Sequence, residues 1–133
     1  MKSIISKNSR GLETGAVIDA CDNSGAKKIR IFTVYGHKTV KRRRARAGIA
    51  DMVMASVVRG KPDIRKKVVY AVIVRQKKEF KRVNGLRVSF EDNAAVLLKD
   101  NKGNPKGTAI KGPIAKEVTI RWPAISKIAS NAV

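Results

Sequence analysis

The sequence predicts a mainly β protein, built as a small closed antiparallel barrel and followed by short C-terminal helices. Three observations point to this class. Short runs rich in Val and Ile alternate with turn residues along most of the chain. Only 5% of the residues are aromatic, so Val, Ile and Leu must fill the core. Closure into a barrel removes the exposed sheet edges that a highly charged, β-rich chain would otherwise have to protect.

Turn residues separate the predicted strands and set their order. Asp22-Asn23-Ser24-Gly25 follows the first run, and Asp, Asn and Gly each favour turn geometry. Asn84-Gly85 is the commonest short hairpin signal because both residues tolerate positive backbone angles. The predicted strands are, in order, Thr14–Cys21, Lys28–Tyr35, Ile49–Arg59, Lys67–Gln76, Gly85–Phe90 and Ala94–Lys99.

The second run changes its periodicity partway along. Ile29 and Ile31 flank a polar residue with period two, and Phe32 and Val34 then do so in the opposite phase. This phase change predicts a bulge or a local twist in the strand.

The 133 residues suit a single domain, with residues 1–13 as a polar N-terminal arm and residues 113–133 as a helical tail. Pro113 can open a short helix that continues through Glu117, because the fixed torsion of proline suits the first helical position. A second short helix is predicted near Pro123–Ala129, where apolar residues recur at helical spacing.

Charge gives the strongest functional signal. Lys and Arg total 30 against 10 Asp and Glu, a net charge of +20, and residues 41–87 alone hold 16 basic and three acidic residues. Such a domain repels itself, and a polyphosphate partner relieves that repulsion while releasing condensed counterions.

No apolar stretch reaches the roughly 20 residues that span a bilayer, so no membrane partner is expected. The lone Cys21 should pack as a small hydrophobe in a reducing, cytosolic compartment.

The residues that enzymes and metal sites need are scarce. His37 is the only histidine, and one Cys with one His cannot form a zinc site or a nucleophile pair. Glu91 and Asp92 are adjacent, so on a strand they would point to opposite faces and could not form a paired acid and base. We therefore expect no catalytic residue, no metal and no cofactor.

Three basic clusters are the candidate nucleic-acid contacts. The sharpest is Lys41–Arg46, because each arginine offers a planar fork that bonds phosphate oxygens bidentately. The others flank the strongest strand at its two ends, so the clusters cannot all serve one narrow pocket. A localisation signal or solvated charge remains the alternative for such runs. The candidate RNA-binding residues are Arg42, Arg43, Arg44, Arg46, Lys66, Lys67, Arg75, Lys77 and Lys78.

Aromatic placement helps to choose the mode of binding. Single-strand binding modules usually expose aromatic platforms on which bases stack. Only Tyr35 and Phe80 are expected to be exposed, whereas the core or a helix face should hold Phe32, Tyr70, Phe90 and Trp122. Recognition of folded RNA by backbone and shape therefore fits better. A free single-strand binding module and a nucleic-acid enzyme remain the rival functions.

A long spaced pattern resembles a known family. Ala71-Val72-Ile73-Val74, nine residues, Asn84-Gly85, four residues, Phe90, two residues, Asn93, two residues and Val96-Leu97 resemble the fingerprint of the fourteenth protein of the large ribosomal subunit. Asp22–Ala26 and Gly107–Pro113 are similar to other segments of that family. The arm, the Lys41–Arg46 loop and Arg59–Asp63 resemble its archaeal or eukaryotic branch, and the arm departs from the bacterial form.

The resemblance implies a five-stranded closed barrel and a structural role in the cytoplasmic large ribosomal subunit. It implies binding to large-subunit ribosomal RNA, contact with small-subunit RNA in an intersubunit bridge, and contact with neighbouring large-subunit proteins. It also implies that an anti-association initiation factor docks near the C-terminal part, at residues 117–132, unless these helices only cap the barrel. The candidate protein-contact residues are Glu117, Trp122, Ile125 and Ile128.

Overall fold

The computed structural model describes residues 2–4 and 6–133, and Met1 and Ile5 of the predicted arm lie outside the described residues. The described chain is mainly β, with two short helices near its C-terminus. The strands in chain order are β1 (Leu12–Glu13), β2 (Val17–Ala20), β3 (Ala26–Val34), β4 (Arg46–Ala47), β5 (Met52–Gly60), β6 (Val68–Arg75), β7 (Phe80–Lys81), β8 (Arg87–Val88) and β9 (Ala94–Leu98). The helices are α1 (Lys116–Arg121) and α2 (Pro123–Ser126).

Five strands close into a barrel in the order β2-β3-β5-β6-β9, which confirms the predicted architecture. Four neighbouring pairs are antiparallel, but β2 and β9 pair in parallel, with Asp19 opposite Ala94 and Ala20 opposite Ala95. An odd number of strands cannot alternate in direction all the way around a closed ring. One parallel pair is therefore required, and it lies between the first and last strands of the barrel.

The predicted bulge and hairpin are both present. The β3–β5 register shifts between Ile31 and Thr33, where the sequence changes phase. Asn84-Gly85 turns a small hairpin of β7 and β8, in which Phe80 lies opposite Val88 and Gly85 has a φ of +88°. The run predicted over Gly85–Phe90 forms only the short β8, and this hairpin stays outside the barrel.

Aliphatic side chains fill the barrel. Ile29, Ile73 and Leu97 are fully buried, each 0% exposed. Cys21 packs with them, as the sequence predicts, and burial raises the pKa of its thiol to about 12. The thiol is therefore neutral at physiological pH and acts as a small apolar group.

Two aromatic predictions are wrong, and the backbone explains both. Phe32 is 45% exposed, because it directly follows the inward-facing Ile31 and the bulge restores an inward position only at Val34. Phe80 is 1% exposed, because the hairpin lays its ring against the core. The Arg82 guanidinium covers that ring, 5.8 Å from its centre.

The C-terminal helices form, but with shifted bounds. The segment before α1 is extended, because the Ala115 N–H donates to the Val74 carbonyl and Ile114 bridges to Ala132. Pro113 therefore does not begin a helix. Pro123 does occupy the first turn of α2, as expected for proline. Within the described residues no helix is both long and apolar enough to cross a bilayer.

Ile73 gives a direct test of the barrel core. Replacing it with Ala should lower the free energy of unfolding by about 2–5 kcal/mol, because a buried cavity would remain. Val68→Ala on the same strand is the matched control, since Val68 is 58% exposed and should cost far less. Urea unfolding followed by circular dichroism measures both. Equal losses from the two variants would contradict the inward position of Ile73.

Candidate nucleic-acid interface

The arginine-rich loop, residues 36–46, extends from the end of β3 and carries four candidate side chains. Arg42, Arg43, Arg44 and Arg46 are all exposed. Lys41 and Arg42 adopt left-handed backbone angles, with φ of +56° and +62°, which reverse the chain at the tip. The loop thus presents its guanidinium groups to solvent.

The base of this loop is anchored to the N-terminal arm. Arg46 of β4 lies opposite Glu13 of β1 in a two-residue antiparallel pair. Inside the loop, His37 Nδ1 lies 2.9 Å from the Arg46 carbonyl oxygen and 3.2 Å from the Arg46 amide nitrogen. His37 therefore supports the loop backbone. The Arg44–Glu13 ion pair is 3.6 Å long between largely exposed side chains, so it constrains the tip only weakly.

The lysine turn, residues 61–67, joins β5 to β6 and exposes Lys66 and Lys67. Ile64, 3% exposed, anchors the turn in the core. Lys66 has a φ of +65°, and its N–H donates to the Val57 carbonyl over 2.9 Å. The backbone of this turn is therefore fixed while its ammonium groups remain accessible.

Lys77 and Lys78 are exposed beside the N-terminal arm. Between β6 and these lysines, the buried Gln76 side chain donates to the carbonyls of Ser9 and Lys78 and accepts the Gly11 N–H. The Gln76 amide thus joins the arm to the end of β6. Both lysines extend from a backbone that these bonds hold in place.

Arg75 differs from the other candidates because its guanidinium is used inside the protein. The side chain is 11% exposed and donates to both carboxylate oxygens of Asp92, over 2.9 and 3.1 Å. It also donates to the carbonyls of Lys111 at 2.8 Å and Pro113 at 3.1 Å. Four of its five N–H groups are thereby occupied. Arg75 ties the end of β6 to the segment that leads into the helical tail.

The strand register places the exposed clusters at two ends of the barrel. β3 ends at Val34 beside Val53, so the arginine-rich loop lies at the end where β5 begins and β6 finishes. Lys77 and Lys78 follow β6 at that same end. The lysine turn precedes β6 at the opposite end, about 25 Å away along an eight-residue strand.

A fourth basic group, which the sequence did not predict, surrounds a cavity of about 420 Å³ near the lysine turn. Lys27, Lys61 and Lys111 line it together with Asp22. Burial raises the pKa of the Asp22 carboxyl, which accepts hydrogen bonds from the Ser24 hydroxyl and the Leu97 N–H. These lysines come from three distant segments, so no run of basic residues in the sequence reveals them.

The predicted protein-contact residues mostly pack inward. Trp122 and Ile125 are buried, and the Trp122 indole N–H donates to the Ala50 carbonyl over 2.8 Å. Glu117 forms a 2.9 Å ion pair with Arg82, between side chains that are both largely buried. Ile128 is half-buried. These residues therefore hold the helices on the barrel.

An apolar groove lies beside the same helices. Ile120 of α1 is 52% exposed and Val83 of the β7–β8 hairpin is 72% exposed. With Ile4 of the arm they line a groove of about 340 Å³. No simple helical spacing links these three residues, which explains why the sequence did not predict the groove.

Within residues 2–4 and 6–133, no group of three or more His, Cys, Asp or Glu side chains is placed to hold a metal ion. Asp92 is committed to Arg75, and its neighbour Glu91 is exposed. Both acids line one pocket, but the bond from Asp92 to Arg75 leaves Glu91 without a free acidic partner there. The interface consists of cations on a fixed backbone.

The chain is similar to members of a known protein family. The pattern of the family described as ribosomal protein L14p/L23e matches residues 11–133. A large ribosomal subunit protein uL14 of Nanoarchaeum equitans is 54% identical over 129 residues, covering 97% of each chain. The proteins of the same name from Methanocorpusculum labreanum and Picrophilus torridus are 48% and 47% identical, covering 98% and 100% of each chain.

Arg75 gives a test that separates structural from RNA-binding cations. Arg75→Ala should lower the free energy of unfolding by about 2 kcal/mol, because it removes hydrogen bonds to a charged group and leaves two carbonyls unpaired. The exposed Lys77→Ala is the control and should leave stability nearly unchanged. Urea unfolding and RNA titration of both variants provide the readout. Unchanged stability with weakened RNA binding for Arg75→Ala would show that its guanidinium faces RNA instead.

Proposed function

This chain belongs to the ribosomal protein L14p/L23e family, and we propose that it holds segments of large-subunit ribosomal RNA in register by phosphate contacts. It is a protein of the large ribosomal subunit, and it is not an enzyme. Large ribosomal subunits are cytoplasmic particles, so it acts in the cytoplasm. The observation that carries the RNA-binding proposal is the exposure of cationic clusters at both ends of one barrel.

Phosphate contact follows from the chemistry of these clusters. The exposed arginines offer bidentate donors to phosphate oxygens, and the lysines offer point charges. Hydrogen bonds already fix the backbone of the lysine turn and of the base of the arginine-rich loop, so little backbone ordering entropy is lost there when RNA binds. Each contact is modest, and affinity comes from their number. The RNA-binding set in this proposal is Arg42, Arg43, Arg44, Arg46, Lys66, Lys67, Lys77 and Lys78, with Lys27, Lys61 and Lys111 added.

We further propose that residues 1–133 act as one RNA-binding unit. Asp51 supports this view, because its carboxylate contacts both the arm and the tail. The Arg10 guanidinium lies 3.7 Å from Asp51 Oδ2, and that of Arg121 lies 3.1 Å from Asp51 Oδ1. The arm (1–13) and the helical tail (113–133) are thus linked through a single loop of the barrel region.

We also propose that this protein lies at the interface between the two ribosomal subunits. By likeness to the family, this protein contacts small-subunit ribosomal RNA in an intersubunit bridge and touches neighbouring large-subunit proteins. An anti-association initiation factor is the further partner proposed for the C-terminal part. The groove lined by Val83 and Ile120 supports a protein contact there, because it leaves apolar side chains uncovered.

Membership of a family of large-subunit proteins weakens the rival functions. A free single-strand binding module was expected to expose Tyr35 and Phe80; Phe80 is buried, but Phe32 is exposed in its place, so the number of exposed rings does not decide between the two. Sedimentation with large subunits after a moderate salt wash separates the proposals. A structural constituent stays with the particle, whereas a free single-strand binder is released.

Replacing Arg42, Arg43 and Arg44 with Ala tests the phosphate contacts. RNA binding should weaken while the thermal midpoint stays nearly unchanged, because exposed charges add little to stability. If about six phosphate contacts form, affinity of the unaltered protein should fall about a thousandfold between 50 and 200 mM salt. Filter binding with large-subunit ribosomal RNA and thermal melting measure these effects. A large loss of stability, or binding that is insensitive to salt, would contradict the proposal.

A further inference from the structure

An exposed aromatic pair lies on the outer face of β3 and directly past its end, beside the arginine-rich loop. Ile29 and Ile31 point into the barrel, so Arg30 and Phe32 point outward. After the bulge Val34 is buried again and Tyr35 is exposed. Phe32 is 45% exposed and Tyr35 is 49% exposed, so two rings remain uncovered on one short stretch of backbone.

Cations border these rings on both sides along the chain. Arg30 precedes Phe32 by two residues on the same face, about 7 Å away. The arginine-rich loop begins directly after Tyr35. Across the sheet, Arg30 lies opposite Val17 and Ser56, neither of which carries a charge. Asp19, two residues along β2 from Val17, is occupied by Lys28 at 3.4 Å.

This arrangement favours a nucleotide over an apolar protein surface. A protein that covered the rings would also have to pair Arg30 and the neighbouring loop arginines. A nucleotide supplies both partners at once, because its base has a π-face and its phosphates are anionic. Unpaired bases of folded RNA commonly stack on aromatic side chains.

We propose that Phe32 and Tyr35 stack one or two unpaired bases of the bound RNA, while Arg30 and the arginine-rich loop hold the flanking phosphates. This inference rests on the proposed function and refines it. The RNA at this end of the barrel must contain a bulge, a loop or a strand end. The lysine turn at the other end has no such aromatic pair in the described residues and needs only backbone contacts.

Two RNA probes test the proposal with the full chain. One is a 12-nucleotide oligoadenylate with a central 2-aminopurine, and the other is a fully paired 12-base-pair RNA duplex. Binding should quench the 2-aminopurine fluorescence. Phe32→Ala should weaken oligoadenylate binding by about 5- to 150-fold and reduce the quenching, because one of the two stacking rings is lost. Its affinity for the duplex should change less than twofold.

Matched variants define what the aromatic ring contributes. Phe32→Leu keeps apolar bulk without a π-face, and it should weaken oligoadenylate binding nearly as much as Phe32→Ala. Phe32→Trp and Tyr35→Phe should retain binding. Val68→Ala, which removes an exposed apolar side chain from β6, should change neither probe. Thermal melting of each variant verifies that it is folded. If Phe32→Ala is unfolded, Phe32→Leu replaces it as the variant that tests stacking.

The outcomes separate this inference from the proposed function. Full binding and quenching by Phe32→Leu, or by both Phe32→Ala and Tyr35→Ala, would overturn stacking and identify the face as an apolar protein contact. The Arg42, Arg43, Arg44 triple alanine variant should weaken both probes. If the triple variant weakens both probes while the aromatic variants bind normally, the stacking inference is wrong and the phosphate-contact proposal stands. If the triple variant weakens neither probe, the phosphate-contact proposal fails.

Discussion

Barrel closure depends on a short parallel contact between β2 and β9. Only Asp19–Ala94 and Ala20–Ala95 pair in this contact, and two neighbouring bonds extend it. The Cys21 N–H donates to the Ala95 carbonyl, and the buried Asp22 carboxylate accepts the Leu97 N–H. A polar side chain thus continues the seam where strand pairing ends. Closure leaves no unpaired edge between the first and last barrel strands.

Closure also determines where the charge can go. With the interior filled by aliphatic side chains, the cations must occupy outward positions and the connections at the two ends. The connections are short or internally bonded, so the backbones of the lysine turn and of the base of the arginine-rich loop are held in place. Two acids fasten the outer elements: Asp51 contacts Arg10 and Arg121, and Glu117 contacts Arg82. The remaining positive charge stays available to a polyanion.

Local sequence signals predicted much of this fold, and non-local contacts account for the differences. Asn84-Gly85 and the phase change after Ile31 act within a few residues, so the hairpin and the bulge were predictable. The outward direction of Phe32 was not predictable, because the exact position of a one-residue bulge reverses every side chain near it. The role of Arg75 depends on Asp92 and on two carbonyls more than 30 residues away. The lysine cavity likewise assembles from three separate segments.

The central claim is that two separated cationic ends of one barrel hold two separate RNA segments. Hydroxyl-radical footprinting of large-subunit ribosomal RNA, with and without this protein, tests it most directly. We expect two protected segments. The first should be lost on replacing Arg42, Arg43 and Arg44 with Ala, and the second on replacing Lys66 and Lys67 with Ala. A single protected segment that both variants weaken alike would contradict it.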